Sequence, residues 1–462
     1  MVSIDFSHPV SVHFIGIGGI SMSGLARILK NAGFRVTGSD REEGEQVEEL
    51  RALGFEVAVP QLADNITRFS PIDLVVYTAA IHPDNEEYAE AVRCGIPMLT
   101  RAELLGQIMA QYARSVAVAG THGKTTTTAM LSQILTEAGA DPTLSVGAVF
   151  PAIGGNVRIG SSDVFVAEAC EYTNSFLSLS PRIGVILNIE ADHLDFFKDL
   201  DDIRSSFRRF AARVPENGTV ILGDTIPDPR EITDDLPCRN VITTGFAPDS
   251  DLLAEDIVHD RMETKFRAVS KDGSSLEITL QVPGDHNVRN ALAAIAAARL
   301  LAVDDAVIAR ALSSFTGASR RFQKLGVKGG VTIVDDYAHH PSEIRATLTA
   351  ARSLGFSRVW CAFQSHTYTR TKALMDDFAD ALTLADEVVL ADIYAARETD
   401  TLGISSRDLQ EKIRNLGHPC YYFPSFSEIQ SFLEKKCCEN DLLIFMGAGT
   451  IDRIGYSMLS DS

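Results

Sequence analysis

The chain has 462 residues, of which 45% are apolar and 23% charged, well past the size at which one hydrophobic core stops growing, so two to four domains are expected. A formal charge of −20 repels phosphate-rich polymers and no basic stripe offsets it, which argues against nucleic acid as a partner. No window approaches ~18 uninterrupted apolar residues and MVSIDFSHPV has no basic-then-apolar leader, so neither a membrane partner nor export is expected; seven scattered cysteines without a C-x-x-C fit the reduced cytoplasm.

Short apolar runs ending in Gly or small polar residues alternate with stretches of helical periodicity, the pattern of α/β proteins with parallel sheets. Three such blocks are expected, 1–112, 113–317 and 318–462, with boundaries near Tyr112 and Gly317. The first opens with a strand from Val12 to Ile15, the turn Gly16-Ile17-Gly18-Gly19, and a helix with Met22, Leu25, Ala26 and Leu29 on one face, ended by Gly33. A second strand closes on Gly38-Ser39-Asp40, which places an acid about where a dinucleotide fold has its ribose ligand. The third glycine of G-x-G-x-x-G is missing, since position 21 is serine. Two readings stand: diphosphate binding at the helix N-terminus, or a tight turn that needs glycine for its backbone.

The second block opens with Val116 to Ala119, then Gly120-Thr121-His122-Gly123-Lys124-Thr125-Thr126-Thr127, then a helix with Met130, Leu131, Ile134 and Leu135 inward. Glycines let backbone N–H groups surround phosphates, Lys124 offsets their charge, and the Thr125 hydroxyl suits a Mg²⁺ shell. Relative to G-x-x-x-x-G-K-[ST] the first glycine is Val118, so the loop is a variant. Further on, a strand ends at Glu168, with Glu171 after it, and another, Ile183 to Leu187, leads into Asn188-Ile189-Glu190-Ala191-Asp192-His193. Carboxyl ends of parallel strands are where ligands bind, so Glu168 is read as a metal ligand. His193 is either an unusual ligand for magnesium or a hydrogen-bonded structural histidine.

Polar clusters recur downstream at strand and helix ends: Gly284-Asp285-His286-Asn287-Val288-Arg289-Asn290, Arg320-Arg321-Phe322, Asp335-Asp336-Tyr337-Ala338-His339-His340-Pro341 and Gln364-Ser365-His366-Thr367-Tyr368-Thr369-Arg370. The asparagines, and Asp335 or Asp336 before Pro341, are candidate helix caps, but capping does not account for paired histidines and arginines at successive ends. Gly447-Ala448-Gly449 reads as a structural turn.

The segments HFIGIGGISMSGLARIL, AGTHGKTTTTAML, EACEYTNSF, NIEADHLDFF, GDHNVRNALAA, SRRFQ, DDYAHHPSEI and FQSHTYTRT, in this order and over nearly the whole chain, resemble the Mur ligase family. The resemblance implies three domains: an N-terminal Rossmann-like one for a UDP-sugar, a central P-loop ATPase-like one, and a C-terminal Rossmann-like one that bears the amino-acid site and closes late. It implies that Gly16, Gly18, Gly19, Ser23 and Asp40 bind the UDP-sugar. Gly120, Thr121, His122, Gly123, Lys124, Thr125, Thr126, Asn290, Arg321 and Asp336 are implied for ATP, and Thr125, Glu168 and His193 for Mg²⁺ or Mn²⁺. His339, His366 and Arg370 are implied to face the acceptor amino acid, and Lys124 and His339 are the catalytic residues expected, the first for phosphoryl transfer and the second as base for the amine. FQSHTYTRT is more similar to family members that add L-alanine to UDP-N-acetylmuramate than to recycling members that add a preformed tripeptide. Some members have arginine where this chain has Thr367, so that contact is absent here or supplied otherwise.

The chemistry implied is activation of a carboxylate as an acyl phosphate by ATP, then attack by an amine. Two rivals from other classes are a nicotinamide-dependent oxidoreductase, which has no use for Gly-Lys-Thr, and a regulator that binds ATP and a sugar nucleotide without net chemistry. A monomer and a homodimer are both compatible with the sequence.

Overall fold

The computed structural model describes residues 2–460 apart from Ala79, Asp195, Arg261, Arg397, Asp400 and Thr401. Its contacts divide the chain into two compact units, Met1–Thr243 with Ala293–Asp304, and Thr244–Leu292 with Asp305–Ser462.

In the first unit, strands β1 (Ser11–Ile15), β2 (Arg35–Ser39), β3 (Glu56–Ala58), β4 (Leu74–Tyr77) and β5 (Met98–Thr100) form a parallel sheet in the order β3-β2-β1-β4-β5. All five residues of β1 are buried, as expected of a central parallel strand covered on both faces. The helix Ile20–Asn31 buries Met22, Leu25, Ala26 and Leu29, the stripe that its 3.6-residue period predicts. Strand order reverses at β1 and β4, so the turn Gly16–Gly19 opens at a switch point, where doubly wound sheets form a crevice.

The same unit holds a second sheet, built from β6 (Arg114–Ala119), β7 (Thr143–Phe150), β8 (Gly155–Arg158), β9 (Val164–Glu168), β10 (Ile183–Ile186), β11 (Thr219–Gly223) and β12 (Asn240–Gly245). They run in the order β8-β7-β9-β6-β10-β11-β12, which sets β6 between β9 and β10. One hydrophobic cluster runs from Val12 and Phe14 through Phe165 and Phe176 to Phe207 and Phe210, with the Phe176 and Phe210 rings stacked 4.9 Å apart. That continuity is why contacts group the first two expected blocks together. The helix Arg101–Met109 lies so close to the 3-10 segment Tyr172–Ser178 that a Cβ on Gly106 would stand 2.1 Å from the Ser178 carbonyl oxygen.

In the second unit β13 (Leu252–Asp260) pairs in parallel with the last residues of β12 and, with β14 (Glu263–Ser270) and β15 (Ser275–Leu280), makes an antiparallel meander that completes a ten-stranded sheet. Strands β16 (Gln323–Lys328), β17 (Val331–Asp336), β18 (Arg358–Phe363), β19 (Glu387–Leu390), β20 (Cys420–Tyr422) and β21 (Asp441–Met446) form a sheet ordered β16-β17-β21-β18-β19-β20, parallel except for β16. Apolar clusters line both its faces, Ile344, Leu348 and Phe378 on one, Trp360, Phe445 and Ile454 on the other. The architecture is α/β with three sheets. Among the described residues no helix is long and apolar enough to cross a membrane, and all seven cysteines are free.

Candidate active site

The loop after β6 turns into the helix Lys124–Glu137 at Gly123, whose φ of +84° lies in the left-handed region that glycine enters without strain. Lys124 curls back, its Nζ donating to the carbonyls of Gly120 (2.6 Å) and Thr121 (3.1 Å) and to the Glu171 carboxylate (2.9 and 3.2 Å). Burial pulls the ammonium down, but Glu171, with Cys170 and Glu168 beside it, outweighs that and holds Lys124 above its ordinary value. Lys124 is therefore a cation before any nucleotide arrives. Thr126 is buried in the same first helical turn.

Strand ends on either side of β6 complete the cluster. From β9, Glu168 accepts from the Thr125 hydroxyl (3.2 Å) and from Gly147 N (2.5 Å). Beyond β10, Asn188 clamps the loop, its Oδ1 accepting from His122 N (2.8 Å) and its Nδ2 donating to His122 O (3.1 Å), while Glu190 N donates to Thr121 Oγ1 (2.9 Å). His193, at a left-handed φ of +53°, lies with Nε2 3.8 Å from Glu171 Oε1 and its ring centroid 4.6 Å from that of Tyr172. An octahedral Mg²⁺ with oxygen ligands at about 2.1 Å has neighbouring ligands about 3 Å apart, so the Thr125 and Glu168 oxygens are spaced to share one ion. The structure thus assembles Gly120, Thr121, His122, Gly123, Lys124, Thr125, Glu168 and His193. It adds Glu171 and Asn188, which sequence reasoning left without roles; the only signal was their place just beyond strands ending in Glu168 and Leu187.

At the first sheet, Gly16 N and Ile17 N both donate to Ser39 O (2.9 Å), and Gly18 N donates to Asp40 Oδ2 (2.7 Å). Asp40 Oδ1 also accepts from Arg41 N (2.8 Å), so this carboxylate holds the turn together. Gly19 caps the helix Ile20–Asn31 without a side-chain hydrogen bond, and Ser23, buried, donates to Ile20 O (2.9 Å). Beneath the turn a fully buried His13 sits between Thr37 Oγ1 (2.8 Å) and Glu87 Oε1 (2.7 Å), and Glu87 Oε2 accepts from the Ser39 hydroxyl (2.5 Å).

In the second unit, Arg320 donates to Asp335 Oδ2 (3.1 Å) and to the carbonyls of Gly449 (3.0 Å) and Gly447 (2.7 Å), so that glycine turn is a structural anchor. Asp336 accepts from Phe322 N and Ala338 N (2.8 Å each). Burial pushes Asp335 up to about 7, against the pull of Arg320, and Asp336 up to about 6, against Arg321. Neither aspartate caps the helix Pro341–Arg352; His340 does, with Glu343 returning the bond, because the cap must directly precede the first turn. The asparagines lie inside the helix Asp285–Leu300 and do not cap it either: Asn287 Nδ2 donates to Pro283 O (2.7 Å) and Asn290 Nδ2 to Asn287 Oδ1 (3.4 Å).

His339 Nδ1 stands 3.0 Å from Tyr337 O, which can only accept, so the neutral ring carries its proton on Nδ1 and its lone pair on Nε2. The His339 and His366 rings are 5.9 Å apart. Thr367, at φ +67°, caps the helix Tyr368–Ala373 and accepts from Arg370 N (3.4 Å), which puts Arg370 in the first turn after His366. Arg321 Nη1 is 3.9 Å from Glu343 Oε1.

Three family models match successive parts of the chain: "Mur ligase family, catalytic domain" over 11–113, "Mur ligase middle domain" over 118–298, and "Mur ligase, glutamate ligase domain" over 320–449. UDP-N-acetylmuramate–L-alanine ligases of Lachnospira eligens and Agathobacter rectalis are each 55% identical over 99% of this chain and 100% of their own. Among solved structures, UDP-N-acetylmuramate-alanine ligase MurC from Thermotoga maritima is 31% identical with a TM-score of 0.81, covering 98% of both chains. A murein peptide ligase from Psychrobacter arcticus is 26% identical with a TM-score of 0.71, over 97% of this chain and 98% of its own.

Proposed function

The chain belongs to the Mur ligase family, and from that premise we propose that it joins L-alanine to UDP-N-acetylmuramate at the expense of ATP, an early cytoplasmic step of peptidoglycan synthesis. The observation that carries this reading is the full-length 55% identity to L-alanine ligases, together with a phosphate loop whose lysine is already charged. Three domains, 1–112, 113–317 and 318–462, correspond to the sugar-nucleotide, ATP and amino-acid functions, a division supported by three separate sheets.

In the first step the lactyl carboxylate attacks the γ-phosphorus of ATP in line; a P–O bond forms, the bond to ADP breaks, and the phosphorylated carboxylate oxygen becomes part of a leaving group. Lys124 balances charge on the transferred phosphoryl group, and backbone N–H groups from Gly120 to Thr126 hold the phosphates. A divalent ion, Mg²⁺ in this reading, held by Thr125 and Glu168 with His193 nearby, supplies further neutralisation when bound. Asn290, Arg321 and Asp336 serve the rest of the nucleotide; Gly16, Gly18, Gly19 and Ser23 serve the UDP group. In the second step the alanine amine attacks the acyl carbon, a C–N bond forms and phosphate leaves. His339 Nε2, carrying the lone pair of the neutral ring, takes the amine proton, while His366 and Arg370 orient the amino acid.

The test is phosphate release from ATP with UDP-N-acetylmuramate, comparing L-alanine with L-alanyl-γ-D-glutamyl-diaminopimelate and weighing the product by mass spectrometry. Release coupled to alanine addition is expected. Tripeptide addition would make it a recycling ligase, and binding of both nucleotides without release under either condition would leave a regulator.

A further inference from the structure

Arg101 is the first residue of the helix Arg101–Met109, directly after the carboxyl end of β5, on the ligand-binding edge of the sheet that carries the glycine turn. Its side chain is mostly buried, and among the described residues its hydrogen bonding amounts to one contact, Nη1 to Ser21 Oγ at 3.1 Å. The acid nearest in sequence is committed elsewhere: Glu103 accepts from Thr100 N and from the Thr100 hydroxyl (2.8 Å each) in a capping box. No carboxylate lies within ion-pair distance of Arg101 among the described residues. Burial lowers its pKa, and the one group that acts against this is the Cys170 thiol. A mostly buried guanidinium without a counter-ion is costly to the fold, so its place calls for a ligand that supplies the negative charge.

Two directions can be read around it. Ser21 is the second residue of the helix Ile20–Asn31, whose N-terminus has no side-chain cap and no acid in its first turn. On the other side, Cys170 lies close enough to act on the charge of Arg101, and in the chain it stands between Glu168 and Glu171, the residues that hold Thr125 and Lys124. Arg101 therefore stands between the glycine turn and the phosphate loop, on the path of a molecule with its nucleotide at the first and its reacting carboxylate at the second.

We propose that Arg101 binds an anionic oxygen of the sugar-nucleotide substrate, from its diphosphate or its lactyl carboxylate, and so is a substrate-binding residue at the junction of the two loops. This rests on the reading that the substrate is UDP-N-acetylmuramate. A guanidinium paired with phosphate or carboxylate makes strong, geometrically specific hydrogen bonds, which a lysine reproduces only in part.

The experiment is calorimetric titration of the full-length protein and its Arg101→Met and Arg101→Lys variants with UDP-N-acetylmuramate, UDP-N-acetylglucosamine and ATP. Expected is a ~10- to 100-fold loss of affinity for UDP-N-acetylmuramate in Arg101→Met, a smaller loss in Arg101→Lys, unchanged ATP affinity, and a thermal midpoint that does not fall. An equal loss for UDP-N-acetylglucosamine, which has the diphosphate without the lactyl group, assigns the contact to the diphosphate; a loss confined to UDP-N-acetylmuramate assigns it to the carboxylate. Wild-type affinity for both sugar nucleotides in Arg101→Met overturns the proposal alone, as does a lowered midpoint with ATP affinity reduced in parallel. A wild-type protein that binds neither sugar nucleotide overturns the substrate reading and this assignment together.

Discussion

Lys124 keeps its proton because Glu171 lies 2.9 Å away, and that ion pair has to give way or be shared when the phosphates of ATP arrive. In the proposed mechanism its charge acts on the transferred phosphoryl group and not on the sugar nucleotide. Lys124→Ala is therefore expected to lower kcat for phosphate release by at least ~10²-fold while leaving the dissociation constant for UDP-N-acetylmuramate within a factor of a few, as read by calorimetry. Loss of both together would contradict separate sites. In the proposed mechanism His339 acts only in the second step. His339→Ala should cut amide formation by ~10²–10⁴-fold yet leave acyl phosphate formation in place, visible as ATP-dependent hydroxamate when hydroxylamine replaces alanine. Failure to form hydroxamate would place His339 in the first step. Thr367 accepts from the Arg370 backbone and caps its helix, which gives the position a structural role without the arginine some relatives carry there.

The elements reach these positions through a few close contacts. The helix Arg101–Met109 and the segment Tyr172–Ser178 approach at Gly106, which joins the first sheet's edge to the strand end bearing Glu168 and Glu171. Gly106→Ala puts a methyl 2.1 Å from backbone, so the helix must shift, at a cost of ~1–3 kcal/mol. The expected readout is a thermal midpoint several degrees lower, with a higher KM for the sugar nucleotide; an unchanged midpoint would show that the approach is looser than the geometry implies. In the second unit, the capping pair His340–Glu343 fixes the start of the helix Pro341–Arg352, and Glu343 Oε2 also accepts from His339 N (3.0 Å). One carboxylate thereby ties a helix start to the orientation of the proposed base.

Across the whole molecule, buried acid makes stability depend on pH in a direction opposite to that of paired surface carboxylates. Asp336 has a folded value of about 6 against an ordinary 3.8. Below about pH 4 it is protonated whether the chain is folded or not, and between 4 and 6 the folded state holds a proton that the unfolded state has lost. Stability from this group is thus present at low pH, falls as pH rises through that window, and stays low above it. Asp335, raised to about 7, extends the fall upward, and the net charge of −20 adds self-repulsion in the same direction. The midpoint of Asp336→Asn relative to wild type is expected to be more favourable at pH 8 than at pH 5. An offset independent of pH would mean that Asp336 ionises normally in the fold.

What the sequence by itself determined is what short windows encode: strand, glycine turn and helix at 12–31 and 116–137, the apolar stripes of both helices, and polar residues at strand ends. The family motifs were legible for the same reason, since each is a short continuous segment that keeps its local geometry wherever the rest of the chain goes. Tertiary structure alone decided which charges meet. Glu171 answers Lys124 from 47 residues away, Asp40 is turned onto Gly18 N, and Arg101 is left with a hydroxyl from 80 residues away and, among the described residues, no acid. Burial likewise separated the raised Asp336 from the loop-holding Asp40, two aspartates that read alike in sequence. Charge compensation and desolvation are set by every group within a few ångströms, and those neighbours come from distant parts of the chain that no local pattern specifies.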